Sequence, residues 1–249
     1  MAAKPVLIFM PGAWHTPEIF SEVVSKLEPL GYECIGYSLL AVGHEPAVKD
    51  LQPDINAIRQ LVLDEADTGM DIVVVAHSWS GIVVSGALEG LGKGSRETEG
   101  KKGGVVRIAY ISAFVPDEGV SLIQAFGGSP PEWYDVKEPW VMPKTPIPTF
   151  YHDLPAPVAE SWASKLVRHS YATKTAGAKS AAWRTIPSTY LICEDDRAIP
   201  AFVQEGMVKA CQDAGAPMDT ERIFTGHSPF LVKPDEVANF VRRAAGEGV

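Results

Sequence analysis

Short, unbroken apolar runs alternate along this chain with segments of helical periodicity. PVLIFM (residues 5–10) has no polar alternation and ends in a Pro-Gly turn, so it reads as a strand buried on both faces. Residues 17–30 follow with amphipathic spacing and stop at Gly31, which predicts a helix. YECIGYSL predicts a second strand, and a polar loop with Gly43 and His44 leads to a helix over about residues 50–67. DIVVVA (71–76) is again a Val-rich buried strand. Residues 82–88 then read as a helix with one slim side, made by Gly81, Ser85 and Gly86.

Beyond that point GKGSRETEGKKGG (92–104) is Gly-rich and charged and is expected to be a solvated loop. VVRIAYISA, TYLICEDD and TERIFTGHS read as further strands, with a helix over about 200–214 and a terminal helix opened by Pro234. Strands alternating with helices across short loops imply a mostly parallel sheet flanked by helices, an α/β fold. One stretch breaks the alternation. About residues 116–186 hold nine of the twenty prolines and four of the six tryptophans, namely Trp133, Trp140, Trp162 and Trp183. It is Pro-rich first and helical afterwards, and it reads as a cap inserted between two core strands. No linker-like break or repeat divides residues 1–249, so a single domain carrying this cap is expected.

Composition narrows the partners. Hydrophobic residues make up 46% and charged ones 21%, ordinary for a globular protein. A formal charge of −9 without a basic stripe argues against nucleic acid. The apolar run near the N-terminus is too short for a secretory signal or a membrane span. Cys34, Cys193 and Cys211 have neither metal nor redox spacing, which points to a reducing, cytoplasmic setting. The expected partner is a small molecule, without metal or cofactor, and a homodimer is the one protein assembly left open.

The chemistry is sought where the strand at 71–76 gives way to a helix, in VVVAHSWSG. A serine on so tight a strand-to-helix turn projects its hydroxyl above the carboxyl edge of the sheet. The turn needs small residues two before and two after the nucleophile. Ser78 has Ala76 and Ser80 there, whereas Ser80 has Ser78 and the β-branched Ile82. Ser78 is therefore the candidate nucleophile; the bland alternative is a serine capping the helix.

A serine nucleophile needs a base, an acid that orients the base, and donors for an oxyanion. Of six histidines, His77 is directed away from the hydroxyl by the turn, and His15, His44, His152 and His169 lie in loops or the cap. His227, in FTGHSPF, follows the last strand at the edge where Ser78 emerges. CEDDRAIP ends the preceding strand at the same edge and offers Glu194, Asp195 and Asp196. Strand pleating sets Asp195 against the other two, and Glu194 is early for a histidine in the adjacent loop. For the oxyanion, the amide of Trp79 follows the nucleophile, and the amide of Ala13 lies beside Gly12 in the first-strand loop. Trp14, Trp133, Trp140 and Trp162 are the expected walls of an apolar substrate pocket beneath the cap.

The segments LIFMPGAWHTPEIF, VVVAHSWSG, YISAFVPDEG, YLICEDDRAIPAFVQ and GHSPFLVKPDEV together resemble the α/β-hydrolase superfamily. The resemblance is strongest to the branch of plant methylesterases and hydroxynitrile lyases with related microbial esterases. It covers about two-thirds of the chain and implies an α/β-hydrolase fold. It implies Ser78, Asp196 and His227 as the triad and the amides of Ala13 and Trp79 as the oxyanion hole. The chain departs from the pattern at Met10-Pro11, where many relatives have His before the Gly, and at Ser80, where many have Gly. The cyanohydrin-cleaving relatives carry a lysine after the catalytic histidine and a threonine in the first-strand loop. Here those places hold Ser228 and Gly12, which favours ester chemistry.

The expected activity is that of a serine esterase, a carboxylic ester hydrolase acting on a small, hydrophobic ester or lactone through an acyl-enzyme. Two rivals use the same residues. One is C–C cleavage, lactonisation or cyclisation of a natural-product intermediate, since fold does not fix function. The other is a ligand receptor with a vestigial triad.

Overall fold

The structure, a computed structural model, describes residues 3–249. Its strands are β1 (Val6–Met10), β2 (Cys34–Gly36), β3 (Asp71–His77), β4 (Gly104–Ile111), β5 (Tyr134–Lys137), β6 (Trp140–Pro143), β7 (His169–Ser170), β8 (Ser188–Cys193) and β9 (Met218–Ile223). Its α-helices are α1 (Ser21–Leu27), α2 (Gln52–Ala66), α3 (Ser80–Ala87), α4 (Lys93–Thr98), α5 (Leu122–Ala125), α6 (Pro146–Phe150), α7 (Ala156–Ser164), α8 (Ala172–Thr175), α9 (Ala201–Asp213), α10 (Pro229–Val232) and α11 (Pro234–Ala244). Six strands form one parallel sheet in the order β2-β1-β3-β4-β8-β9. This is the α/β-hydrolase fold, a parallel sheet flanked by helices.

The unbroken apolar runs have a direct cause. Successive side chains of a strand point to opposite faces, and here both faces are covered. Val6, Ile8, Met10, Ile72, Val74 and Ala76 enter one core with α2, α3 and α9. Leu7, Phe9, Val73 and Val75 enter a second core with α1 and α11. Each fully buried aliphatic side chain contributes about 1.5–3 kcal/mol, so a polar substitution at one of these positions costs stability on either face.

Three expectations need correction. The second strand is shorter than YECIGYSL, because only Cys34–Gly36 pair with β1 at the sheet's edge. The segment 92–104 is not a solvated loop throughout, since α4 occupies Lys93–Thr98. Arg96 is buried there, its Nε donating to Gly103 O at 2.7 Å and its guanidinium reaching Asp67 at 2.6 Å. A side chain at Gly103 would place its Cβ 2.3 Å from Ala66 O, so this glycine serves close packing. The cap, lastly, is not simply Pro-rich and then helical. Between β4 and β8 it holds a small antiparallel sheet, β5-β6-β7, among the short helices α5 to α8.

In a parallel sheet all carboxyl ends lie at one edge. The neighbouring strands β1, β3, β4, β8 and β9 therefore bring Ala13, Ser78, Ser112, Asp196 and His227 out side by side. Among the described residues no helix is long and apolar enough to cross a membrane.

Candidate active site

Ser78 sits on the turn between β3 and α3 with φ 55°, in the left-handed region that a side chain enters at a cost of about 1–3 kcal/mol. Neighbouring backbone holds it there: Ser78 N donates to Ile111 O at 3.2 Å, and Phe114 N donates to Ser78 O at 3.0 Å. Gly12 and Gly81 make room for the turn. A Cβ at Gly12 would meet Ser78 Cβ at 2.8 Å, and one at Gly81 would meet Phe114 O at 2.2 Å. Ser80 has a different task. Its buried hydroxyl accepts from His77 N at 3.0 Å and lies 2.9 Å from Met10 O and 2.8 Å from His77 O, bolting the turn to β1.

Ser78 Oγ lies 3.0 Å from His227 Nε2, and His227 Nδ1–H donates to Asp196 Oδ2 at 2.7 Å. Asp196 is nearly buried and all its lone pairs are engaged. Its Oδ1 accepts from Ala198 N at 2.7 Å and Ile199 N at 2.9 Å. Its Oδ2 also accepts from Ser112 Oγ at 2.8 Å and Gln204 Nε2 at 3.3 Å. With Oδ2 facing His227, the imidazole carries its proton on Nδ1 and presents a lone pair to the serine, the form that a base requires.

Sequence reading missed Ser112, Gln204 and the work of His77. Ser112 is at the carboxyl end of β4 with φ 38°. Gln204 on α9 ties Asp196 to the end of β8 by bonding both Cys193 N and Cys193 O. His77 Nε2–H donates to His227 O at 2.9 Å, fixing the backbone of the candidate base. Burial holds its pKa well below the ordinary imidazole range, so it stays neutral. Loop termini at the ends of parallel strands were the only sequence signal for Ser112.

Among the described residues the amides of Ala13 and Trp79 have no hydrogen-bond partner, and both residues line the cavity that contains Ser78 and His227. His15, read from sequence as a loop histidine, is buried here and fixes one of them. Its Nδ1–H donates to Ala13 O at 2.7 Å while its Nε2 accepts from the Tyr151 hydroxyl of the cap at 2.6 Å. Burial lowers its pKa to about 3. The cap thus reaches the first-strand loop through a neutral imidazole.

The cavity is tight, with about 10 Å³ of space for the centre of a water-sized sphere. Trp14, Trp133, Tyr134, Phe114, Phe126 and Phe150 line it, and no Asp, Glu, Lys or Arg does. Of the tryptophans expected to wall a pocket, Trp14 and Trp133 line this cavity. Trp140 and Trp162 do not. The guanidinium of Arg168 covers Trp140 at 4.2 Å, and the Lys165 ammonium covers Trp162 at 4.3 Å. Trp183 donates from Nε1 to Pro116 O at 3.1 Å and secures the base of the cap.

The remaining acids of the turn are engaged elsewhere. Glu194 pairs with Arg222 at 2.8 Å. Asp195, read as a solvated charge, lies 3.0 Å from His152 Nε2 of the cap. The adjacent Asp153 accepts from Gly226 N at 2.6 Å, so consecutive cap residues hold the turns that carry Asp196 and His227. His44 stays at the exposed surface, whereas His169 is buried in β7.

A parallel sheet with a serine on a strand-to-helix turn, a histidine and a buried carboxylate at one edge is the architecture of the α/β hydrolases. The chain belongs to the alpha/beta hydrolase family, whose model matches residues 7–240. It is 36% identical to the alpha/beta hydrolase nvfD of Aspergillus novofumigatus, over 99% of this chain and 98% of that protein. Its fold is similar to that of a pyrethroid hydrolase from Sphingobium faniae, with a TM-score of 0.76 and 17% identity over 98% of each chain. A methylesterase from Arabidopsis is similar as well, with a TM-score of 0.72 and 16% identity over 97% of this chain and 99% of its own.

Proposed function

We propose that the protein is a serine-dependent hydrolase of a small, hydrophobic carboxylic ester or lactone. The observation that carries this reading is the unbroken hydrogen-bonded line Ser78–His227–Asp196, opening into a cavity without a charged wall. His227 Nε2 takes the Ser78 proton as Oγ bonds to the carbonyl carbon. The amides of Ala13 and Trp79 then receive the oxyanion. His227 returns the proton to the departing alkoxide, leaving an acyl-enzyme, and water enters by the same route in reverse. Nucleophile, base and oxyanion donors all come from the chain, so the chemistry needs no metal or cofactor.

Substrate class follows from the walls. A charged group on the bound portion would lose its hydration without gaining a partner, at a cost of several kcal/mol. An aryl or alkyl ester suits aromatic walls. The names of the pyrethroid hydrolase and the methylesterase agree with ester chemistry on this fold.

A fluorophosphonate probe and a panel of p-nitrophenyl esters test the proposal. The wild type should be labelled and should hydrolyse the uncharged esters, and Ser78→Ala should do neither while remaining folded. Labelling that persists in Ser78→Ala, or a wild type inert to probe and panel alike, would overturn it.

A further inference from the structure

Lys174, on α8 in the cap, is fully buried, yet among the described residues no carboxylate lies within ion-pair distance of its Nζ. Its surroundings are aromatic. Nζ is 4.6 Å from the ring centre of Trp79, 5.0 Å from that of Trp14 and 3.3 Å from His169 Nδ1. The Thr173 hydroxyl donates to Ser170 O at 2.7 Å, so its oxygen accepts from His169 Nε2–H at 3.1 Å. That leaves the Nδ1 lone pair for Lys174. An ammonium has three N–H groups, and it finds here one ring nitrogen and two indole faces. Burial draws its pKa well below the ordinary lysine range, opposed by the charge of Asp54. Such a group is retained in an apolar interior only when its neighbours hold it.

The two indoles are not arbitrary neighbours. Trp79 itself carries one of the unpartnered amides that line the cavity, and Trp14 directly follows Ala13, which carries the other. Trp14 is also held at φ 66°, a backbone state that needs external support.

We propose that Lys174 is a positioning residue of the oxyanion hole, drawing the indoles of Trp14 and Trp79 toward its Nζ and so fixing the relative placement of the two amides. The inference rests on the ester-hydrolase reading above. Contact of one Nζ with two ring faces ties together a loop that would otherwise drift. A displaced donor keeps part of its effect, whereas deletion of one costs about a hundredfold to a thousandfold in kcat.

Lys174→Met keeps the length of the side chain and removes the charge. For this variant kcat on a p-nitrophenyl ester should fall by about tenfold to a hundredfold, because the donors act on the transition state. KM should change less than kcat, since Trp133, Tyr134 and Phe150 of the cavity wall have no contact with Nζ. Fluorophosphonate labelling should slow by a similar factor, and thermal stability should hold or rise as a buried polar group is removed. Lys174→Arg, which retains a cation, should recover part of the lost rate and serves as the second readout if the methionine variant does not fold. A kcat and labelling rate within twofold of wild type, or a loss of rate that only follows a loss of melting temperature, would overturn the role of Lys174. A wild type that neither labels nor hydrolyses esters would instead remove the reading beneath it.

Discussion

Replacing Asp196 by Asn is nearly isosteric and separates the acid from its neighbours. Asp196 Oδ1 accepts two backbone N–H groups, from Ala198 and Ile199, so that position cannot become an amide nitrogen without setting donors against donors. The asparagine must keep its oxygen there and turn its NH2 toward His227 Nδ1, now 2.7 Å from Oδ2. The imidazole can only answer with a lone pair on Nδ1. Its proton then moves to Nε2 and points at Ser78 Oγ, which the base can no longer deprotonate. In the serine-protease precedent this tautomer error costs about 10⁴ in kcat, equivalent to about 5.5 kcal/mol. Other triads tolerate loss of the acid better, so a fall of at least about a hundredfold is expected for Asp196→Asn. The control is one residue away. Asp195→Asn changes a half-exposed partner of His152, and such pairs contribute about 0–1 kcal/mol, so kcat should stay within about tenfold. Steady-state hydrolysis of a p-nitrophenyl ester at neutral pH, with a denaturation curve for each variant, reads both. An Asp196→Asn rate within tenfold of wild type, or the reverse order of the two variants, would refute the tautomer argument.

Ser80→Ala should leave Ser78 open to the fluorophosphonate but lose about 1–3 kcal/mol in urea unfolding, because His77 N would be left buried without its acceptor. Stability should also fall as the pH drops below about 6.5, the value for an unfolded histidine. Burial depresses the pKa of His15, His77 and His169, so they stay neutral when folded and take up protons on unfolding; the stability they give is present above that value and lost on acidification. Asp54, pushed up to about 6, works in the opposite direction and offsets one of them. Three groups against one leave stability falling on acidification between pH 6 and 5, and a flat urea-unfolding free energy over that interval would contradict it. For the walls, Trp133→Ala should raise KM for an aryl ester by about tenfold, on the order of one lost aromatic contact, whereas Trp140→Ala and Trp162→Ala should leave KM unchanged in the same assay.

What the sequence made legible follows from covalent order. Strands buried on both faces read as apolar runs, and parallel strands deliver their carboxyl ends to one edge, so Ser78, Asp196 and His227 could be placed together from chain position. Ser112 and Gln204 could not. Ser112 reaches an acid 84 positions away, and no local pattern distinguishes its hydroxyl from any other at a strand end. Trp140 and Trp162 failed for a related reason, since a tryptophan in a cap looks the same in sequence whether it faces a cavity or lies under a cation. For Trp162 the signal was present: Lys165 is three positions on, the spacing at which helical side chains meet.

Backbone strain shows why this edge, rather than the sheet as a whole, is built so tightly. Among the described residues three non-glycine residues have positive φ: Trp14 after β1, Ser78 after β3 and Ser112 after β4. At about 1–3 kcal/mol each, their total is comparable to a large part of a domain's net stability, about 5–15 kcal/mol. Each is held by bonds from another segment. Val167 N donates to Trp14 O at 2.9 Å, Phe114 N to Ser78 O at 3.0 Å, and Ser112 N to Leu191 O at 3.1 Å. Trp14 is anchored again by its indole, which donates to Val141 O of the cap at 2.8 Å. The cap is therefore more than a roof over the cavity. Through Val141, Val167, Tyr151 and Lys174 it bonds to or packs on the loop that presents the Ala13 amide. A cap that lifted to admit a substrate would loosen those same bonds, so access to the cavity and the placement of the Ala13 amide would change together.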